Sequence, residues 1–346
     1  MLWRTSIMTL AACALALGIA GAASAKETVR VAHFSWPGYG FLHIAQAKGM
    51  LPENVDLEIS IIEDPVQSMG LLASGQLDIV TSTIEFGPIA LAEDMPVKLL
   101  GLTNLGNGSD RIIVGPDIAS PEDLKGKQVG VIEGGLSQIY MAIWLEQQGI
   151  KWDEVEMVNL FPDAAAAAMI AGQLSAAELW DPYGPQVLEE LPGSREMSHS
   201  GEEYWLKEGL IADAIFVSDA FVAEHRDLLV ALTKARYDAV EWWRENPTEG
   251  NAMIAEVLQW GVADVEPILG GVNNPDDGTL YMYSLEESAQ FCGVAEGEPP
   301  FGQRNGQLTD HWELTNKWWL TFGLMTETVD PAVGIDCSIF KDALGG

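Results

Sequence analysis

Ala73-Ser74-Gly75-Gln76-Leu77-Asp78 and, later in the chain, Ile170-Ala171-Gly172-Gln173-Leu174-Ser175 read as one local event written twice. In each, an apolar helical stripe stops at a glycine, the residue that best tolerates the left-handed conformation of a helix C-cap. Gln-Leu then turns the chain into a short apolar strand. The first copy closes the stripe Val66, Met69, Leu72, Ala73 and opens a strand over 77–80. The second closes a helix over 164–171 and opens a strand over 176–180. A helix-to-strand turn that recurs in this way predicts two similar α/β lobes.

Outward from these turns, the same alternation continues. A strand over 29–32 leads into the turn Trp36-Pro37-Gly38-Tyr39-Gly40, then Phe41, Leu42, Ile44, Ala45 and Ala47 give helical spacing ended by Gly49. Strands follow over 57–62 and 97–102. The second series has strands over 129–132 and 155–160 and a helix over 138–148 ended by Gly149. Strand–helix–strand alternation at this spacing predicts right-handed βαβ units on largely parallel sheets. Gly106, Asn107 and Gly108 interrupt the apolar runs within 104–116, where the chain is expected to cross between lobes. A return is expected over 210–217. One lobe then comprises 26–108 and 214–346, the other 109–213. Beyond Ser218 the pattern is helical over 221–240 and 252–258. The 265–310 stretch, rich in Gly, Pro, Asn and Asp, reads as irregular. A helix over 311–322 carries Trp312, Trp318 and Trp319 as packing groups.

The first 25 residues predict export. Arg4 supplies a positive start, 7–20 are almost wholly apolar, and Ala23-Ser24-Ala25 has the small-residue pattern of a cleaved signal peptide. The run is short for a membrane anchor. Leu10-Ala11-Ala12-Cys13 has a lipoprotein-like look, but cleavage there would leave an apolar tail on the mature chain. Cleavage after Ala25 leaves a periplasmic chain, 26–346, with 17 basic and 51 acidic residues, a net charge of −34. Such a balance excludes nucleic acid and anionic membranes as partners, since both need Lys and Arg to neutralise phosphate. Cys292 and Cys337 remain and are expected to pair in an oxidising compartment, as no His or Cys stands near either at metal-ligand spacing.

No catalytic constellation emerges. There is no nucleophile elbow and no phosphate-cradling glycine loop, and the five histidines are scattered. No cofactor and no metal are expected, and the chain reads as a monomeric binding protein, not an enzyme.

Trp36-Pro37-Gly38-Tyr39 with Ser74-Gly75-Gln76-Leu77-Asp78 resembles the nitrate/sulfonate/taurine-type substrate-binding proteins of ABC importers, a superfamily that includes receptors for thiamine-pyrimidine precursors. Ser120-Pro121-Glu122-Asp123-Leu124-Lys125-Gly126-Lys127 before Val129-Gly130-Val131 is similar to its entry into the second lobe. Ala177-Glu178-Leu179-Trp180-Asp181-Pro182 is similar to its Trp-x-Pro element. Asn107-Gly108-Ser109-Asp110 and Pro192-Gly193-Ser194-Arg195 also resemble the receptors found beside urea-carboxylase genes, associated with guanidine-like cargo. The resemblance implies a type II periplasmic-binding-protein fold, two Rossmann-like lobes joined by a hinge with the ligand between them. It also implies an ABC permease and its ATPase as partners.

Ligands on open parallel sheets bind beyond the carboxyl ends of the strands. Those ends here fall at 34–39, 81–86, 133–137 and 180–183, joined by Asp213 on the returning segment. The candidate ligand-binding residues are Trp36, Tyr39, Thr83, Glu85, Phe86, Glu133, Ser137, Trp180, Asp181, Tyr183 and Asp213. Aromatic faces beside carboxylates suit an ammonium or guanidinium ion, or a taurine-like zwitterion. Backbone N–H groups at helix starts leave a sulfonate or nitrate open, and Trp36 with Trp180 leaves a stacked heterocycle such as a pyrimidine precursor open. A thiamine-pyrimidine-synthesis-like enzyme is the remote alternative, and it lacks the clustered histidines it would need.

Overall fold

Eleven strands in the computed structural model, which describes residues 26–345 apart from 273, 275 and 276, form two mixed sheets. The leader, with Arg4 and Cys13, lies outside the described residues. The first sheet takes β1 (Glu27–His33), β2 (Val55–Ile61), β3 (Ile79–Thr83) and β4 (Val97–Gly106). The second takes β5 (Asp110–Val114), β6 (Gln128–Val131), β7 (Glu156–Asn159), β8 (Ala176–Trp180) and β9 (Arg195–His199). β10 (Ala212–Ser218) and β11 (Leu280–Met282) return to the first sheet.

The orders β11-β4-β10-β3-β1-β2 and β7-β6-β8-β5-β9 contain the same five-strand arrangement. β1, β2 and β3 run parallel, as do β6, β7 and β8. In each sheet the strand beside β3 or β8 is antiparallel, and it is the strand that has just crossed from the other sheet: β10 in the first, β5 in the second. A strand arriving from the opposite lobe enters from the cleft side, so it must run against its neighbours. The two Gly-Gln-Leu turns feed β3 and β8, which occupy equivalent central positions, and Gly75 (φ 71°) and Gly172 (φ 70°) both adopt the left-handed conformation. β10 opens at Ala212, so Asp213 is a strand residue of the first sheet.

Two stretches differ from the sequence reading. The amphipathic run over 221–240 is two helices, Asp219–Glu224 and Arg226–Glu245. They break at His225, whose ring stacks on Phe221 and whose Nδ1 lies 2.7 Å from Glu27 Oε1. The 265–310 stretch is not wholly irregular. It holds β11 and the helix Leu285–Phe291, started by a capping box in which Ser284 accepts from the Glu287 N–H and the Glu287 carboxylate accepts from the Ser284 N–H. The Gly and Pro residues on either side masked that signal.

The Trp-rich helix, Leu308–Phe322, braces both halves. Trp312 packs among Ala32, Leu99 and Phe216 under the first sheet. Trp318 and Trp319 pack among Ile112, Val129 and Tyr140 under the second. Cys292 and Cys337 are bonded, with Cα atoms 5.9 Å apart, which ties the chain's last turns beside β4. Among the described residues no helix is long and apolar enough to cross a membrane.

Closing a loop across 45 residues restricts the unfolded chain by about 4 kcal/mol on the chain-entropy estimate. Cys337→Ser, or reduction, is therefore expected to lower the urea midpoint markedly, with a somewhat steeper slope as the unfolded chain expands; an unchanged midpoint would show that the bond adds nothing.

Candidate ligand-binding site

A cleft of about 540 Å³ is lined from both sheets. Its walls come from strand ends: Phe34, Ser35 and Trp36 after β1, Glu63 after β2, Thr83 and Phe86 at β3, and Asn104 near the end of β4. The second sheet supplies Asp110 at the start of β5, Leu136 and Ser137 after β6, Phe161 and Asp163 after β7, and Glu178, Trp180 and Tyr183 around β8. Asp213 of β10 completes it. Phe34 and Trp180 approach across the cleft with ring centroids 6.3 Å apart.

Gly38 shows why the Trp-Pro-Gly-Tyr turn needs a glycine. A Cβ there would sit 2.6 Å from Asn104 Nδ2 and 2.8 Å from Leu280 Cδ2. Only the bare backbone lets the Asn104 amide and Leu280 close against the turn, and both line the cleft. Asn104 Nδ2 donates to Thr103 Oγ1 at 3.0 Å, while its Oδ1 has no partner.

Three carboxyls line this cleft while buried: Asp110, Glu178 and Asp213. Strand register brings them together. Asp110 pairs with Trp180 and Ile112 with Glu178, so Asp110, Glu178 and Trp180 share one face of the second sheet. Asp213 stands between Thr83 and Asn104 on the first. Burial pushes the Asp110 carboxyl up to about 7, helped by the charges of Asp181 and Glu85, while Ser109 and Arg111 pull it down. Asp213 is pushed up to about 8 by burial, with Asp110 and Glu85 adding to the rise and Tyr39 and Asn104 opposing it. Glu178 lies well above the carboxylate range for the same reason, with Asp110 adding and Ser137 opposing. Glu178 Oε2 and Thr83 Oγ1 have no hydrogen-bond partner.

Among the described residues no Lys, Arg or His lines the cleft. Arg111, next to Asp110 in sequence, points to the other face of its strand. Its Nη1 meets Asp181 Oδ1, and its Nε lies 2.9 Å from Glu196 Oε2. Arg236 is buried behind Asp213 and donates to the Thr103 carbonyl at 3.2 Å.

Of the residues expected from sequence, Trp36, Thr83, Phe86, Ser137, Trp180, Tyr183 and Asp213 line the cleft, and four do not. Tyr39 is buried with its hydroxyl facing Asp213, behind the wall. Glu85 is buried, its Oε1 2.9 Å from His311 Nε2, and the other His311 nitrogen lies 3.1 Å from the Gly209 carbonyl. Glu133 is exposed, and its N–H donates to Asn159 Oδ1 at 3.0 Å. Asp181 is held by Arg111 and by the Thr279 hydroxyl, which donates to its Oδ2 at 2.7 Å. Asp110 and Glu178 line the cleft without being among the expected residues, although Glu178 is the lone acid in the otherwise apolar strand Ala176–Trp180. Period-two alternation from Trp180 leads to Glu178, not to its neighbour Asp181.

The family model described as NMT1/THI5 like matches residues 36–250. The chain belongs to the NMT1/THI5-like family. Within the reach of this family, the chain is 28% identical over 230 residues to the taurine-binding periplasmic protein of Escherichia coli (strain K12), covering 64% of this chain and 68% of the relative. The alkanesulfonate-binding protein from Xanthomonas axonopodis pv. citri, solved with MOPS, has the same fold with a TM-score of 0.68 at 17% identity, over 90% of this chain and 99% of that one. The desulfurization enzyme DSZB also has it, with a TM-score of 0.60 at 17% identity, over 92% and 99%. This two-lobed fold therefore serves both binding and catalysis, and the cleft residues must decide between them.

A carboxyl raised in the folded state binds its proton more tightly folded than unfolded. Between the ordinary carboxylate pKa and the raised value, stability then falls as pH rises. The empty protein is expected to lose melting temperature from about pH 4 to about pH 8 through Asp110 and Asp213. Asp213→Asn should flatten that slope in thermal unfolding; a slope unchanged by the substitution would mean that Asp213 is not the group that titrates.

Proposed function

We propose that this chain is the periplasmic substrate-binding component of an ABC importer and captures a small cationic solute rich in N–H donors, handing it to a membrane permease driven by its ATPase. One observation carries the ligand class: three buried carboxyls and the unpartnered acceptors Glu178 Oε2 and Asn104 Oδ1 line an aromatic cleft that has no basic side chain. Buried acceptors without donors cost free energy, and a cation that brings the donors removes that cost. Trp36 and Trp180 give it aromatic faces, each adding roughly 0.5–2 kcal/mol.

An anion meets the opposite situation. Three backbone N–H groups of the turn after β6 are already engaged: Ile132 with Ser137 Oγ, Gly134 with Gln138 Oε1, and Gly135 with the Ile132 carbonyl. Ser35 N–H is engaged by Glu63. A taurine-like zwitterion satisfies the acids with its amine and leaves its sulfonate short of donors. The role we assign is capture without turnover.

Calorimetric titration at pH 8 should show guanidines and primary amines binding, with sulfonates and nitrate at least tenfold weaker. Glu178→Gln should weaken cation binding by about 1.5–3 kcal/mol, the usual worth of a hydrogen bond to a charged group. Binding of nitrate or sulfonates with indifference to amines would overturn the reading. Ligand recovered chemically altered would overturn the absence of turnover. Gly38→Ala, which displaces Asn104, should weaken the same cations while leaving the fold's circular dichroism unchanged; full affinity in that variant would remove Asn104 from the site.

A further inference from the structure

The cleft offers more room and more acid than one charged group uses. At about 540 Å³ it falls in the range of sites that enclose whole organic molecules, about 300–1,000 Å³. Its acids stand at two depths. Asp110, Glu178 and Asp213 are buried at the floor, whereas Glu63 and Asp163 are exposed and still line the same cavity. Those two come from opposite sheets, Glu63 after β2 and Asp163 in the first turn of the helix Pro162–Ile170. Both line the same cavity as Tyr183. Glu63 is fixed there by the Ser35 N–H at 3.2 Å and by the Ser35 hydroxyl. Asp64, beside it, is spent capping its own helix through Val66 and Gln67 N–H. Between floor and lips the walls are aromatic, with Phe34 and Trp180 meeting from the two sides.

We propose that the cleft takes an elongated dication, a linear diamine or an amine joined to a guanidine, with one charged end among Asp110, Glu178 and Asp213 and the other between Glu63 and Asp163. Its hydrocarbon middle lies along Trp36 and Trp180, which takes apolar surface out of water. The second charge also gives closure a reason. Glu63 and Asp163 repel across the lips of an empty cleft, and a cation between them turns that repulsion into a bridge joining the two lobes. A ligand with one charge fills the floor and leaves the lips opposed. This inference rests on the cationic reading above and adds the length and the second charge.

Calorimetric titration of the purified protein with propylamine, methylguanidine, ethylenediamine, putrescine and cadaverine separates the two ideas. Dications of suitable length are expected to bind at least about tenfold tighter than the monocations, with an optimum length in the series. The double variant Glu63→Gln, Asp163→Asn alters only exposed side chains, so folding should survive. It is expected to weaken dications far more than monocations, so that most of the dication's advantage is lost. Monocations binding as tightly as every dication, or a double variant that weakens both classes equally, would overturn the dication and leave the cationic site standing. Failure of every amine and guanidine to bind would overturn both.

Discussion

Burying three carboxyls in one cleft without a basic partner is the constraint around which this molecule is built. Taking a carboxylate out of water is costly, and the usual remedies are a counter-charge or a retained proton. Here the counter-charges are turned away. Arg111 is engaged by Asp181 and Glu196, and Arg236 lies behind Asp213 with its Nη2 donating to the Thr103 carbonyl. Asp110 and Asp213 are left to hold protons up to about neutral pH, with Ser109, Tyr39 and Asn104 softening the cost. A site tuned to its own stability would have let one of those arginines in. Keeping them out preserves acceptors for something that is not part of the chain, which is how strain at a functional site is ordinarily recognised.

The fold makes that arrangement possible through its crossing strands. β5 and β10 each run against their neighbours because each has just left the other lobe, and each delivers an acid to the cleft within its first two residues: Asp110 and Asp213. The acids therefore sit beside the hinge, where the two lobes are closest whatever the angle between them. Rear bracing keeps that region in register. Helix Leu308–Phe322 anchors tryptophans in the cores of both lobes, and its His311 joins Glu85 to the Gly209 carbonyl just ahead of β10. Trp319 Nε1 donates to the Glu85 carbonyl at 2.9 Å in the same knot. Glu85 is thus a pillar under the cleft wall, although it stands at the strand end where a ligand contact is expected.

The repeated glycine turns made the two-lobed architecture legible, because a C-cap glycine and a strand onset are local events with local signals. The acids were harder, since their roles depend on which face of a strand they take. Asp181 and Glu178 lie three residues apart in one quoted motif, and period-two alternation sends Glu178 to the cleft with Trp180 and Asp181 to Arg111. Glu85, Glu133 and Tyr39 stand at the right strand ends and still fail to line the cavity, because a helix start directs a side chain inward or outward according to packing many residues away. His311, the partner that draws Glu85 inward, is 226 residues distant, and no local pattern announces it.

Reversing the electrical sign of a cleft on this fold asks for little change in the scaffold. The turn after β6 offers N–H groups that suit an anion, but side chains from Ser137, Asn159 and Gln138 occupy those of Ile132, Glu133 and Gly134. Two strand acids and one returning acid give the slot groups that become negative once they lose their protons, and in a low-dielectric slot such a charge acts far more strongly than on a wetted surface. The rest of the acidic surplus lies mostly on the solvated surface, and it works on the approach of a ligand and not on its grip: a protein with a net charge near −33 draws cations toward every face and repels anions before they reach the lips. On the proposed reading, surface and cleft favour the same sign of ligand, by long-range steering in one case and by unpaired buried acceptors in the other.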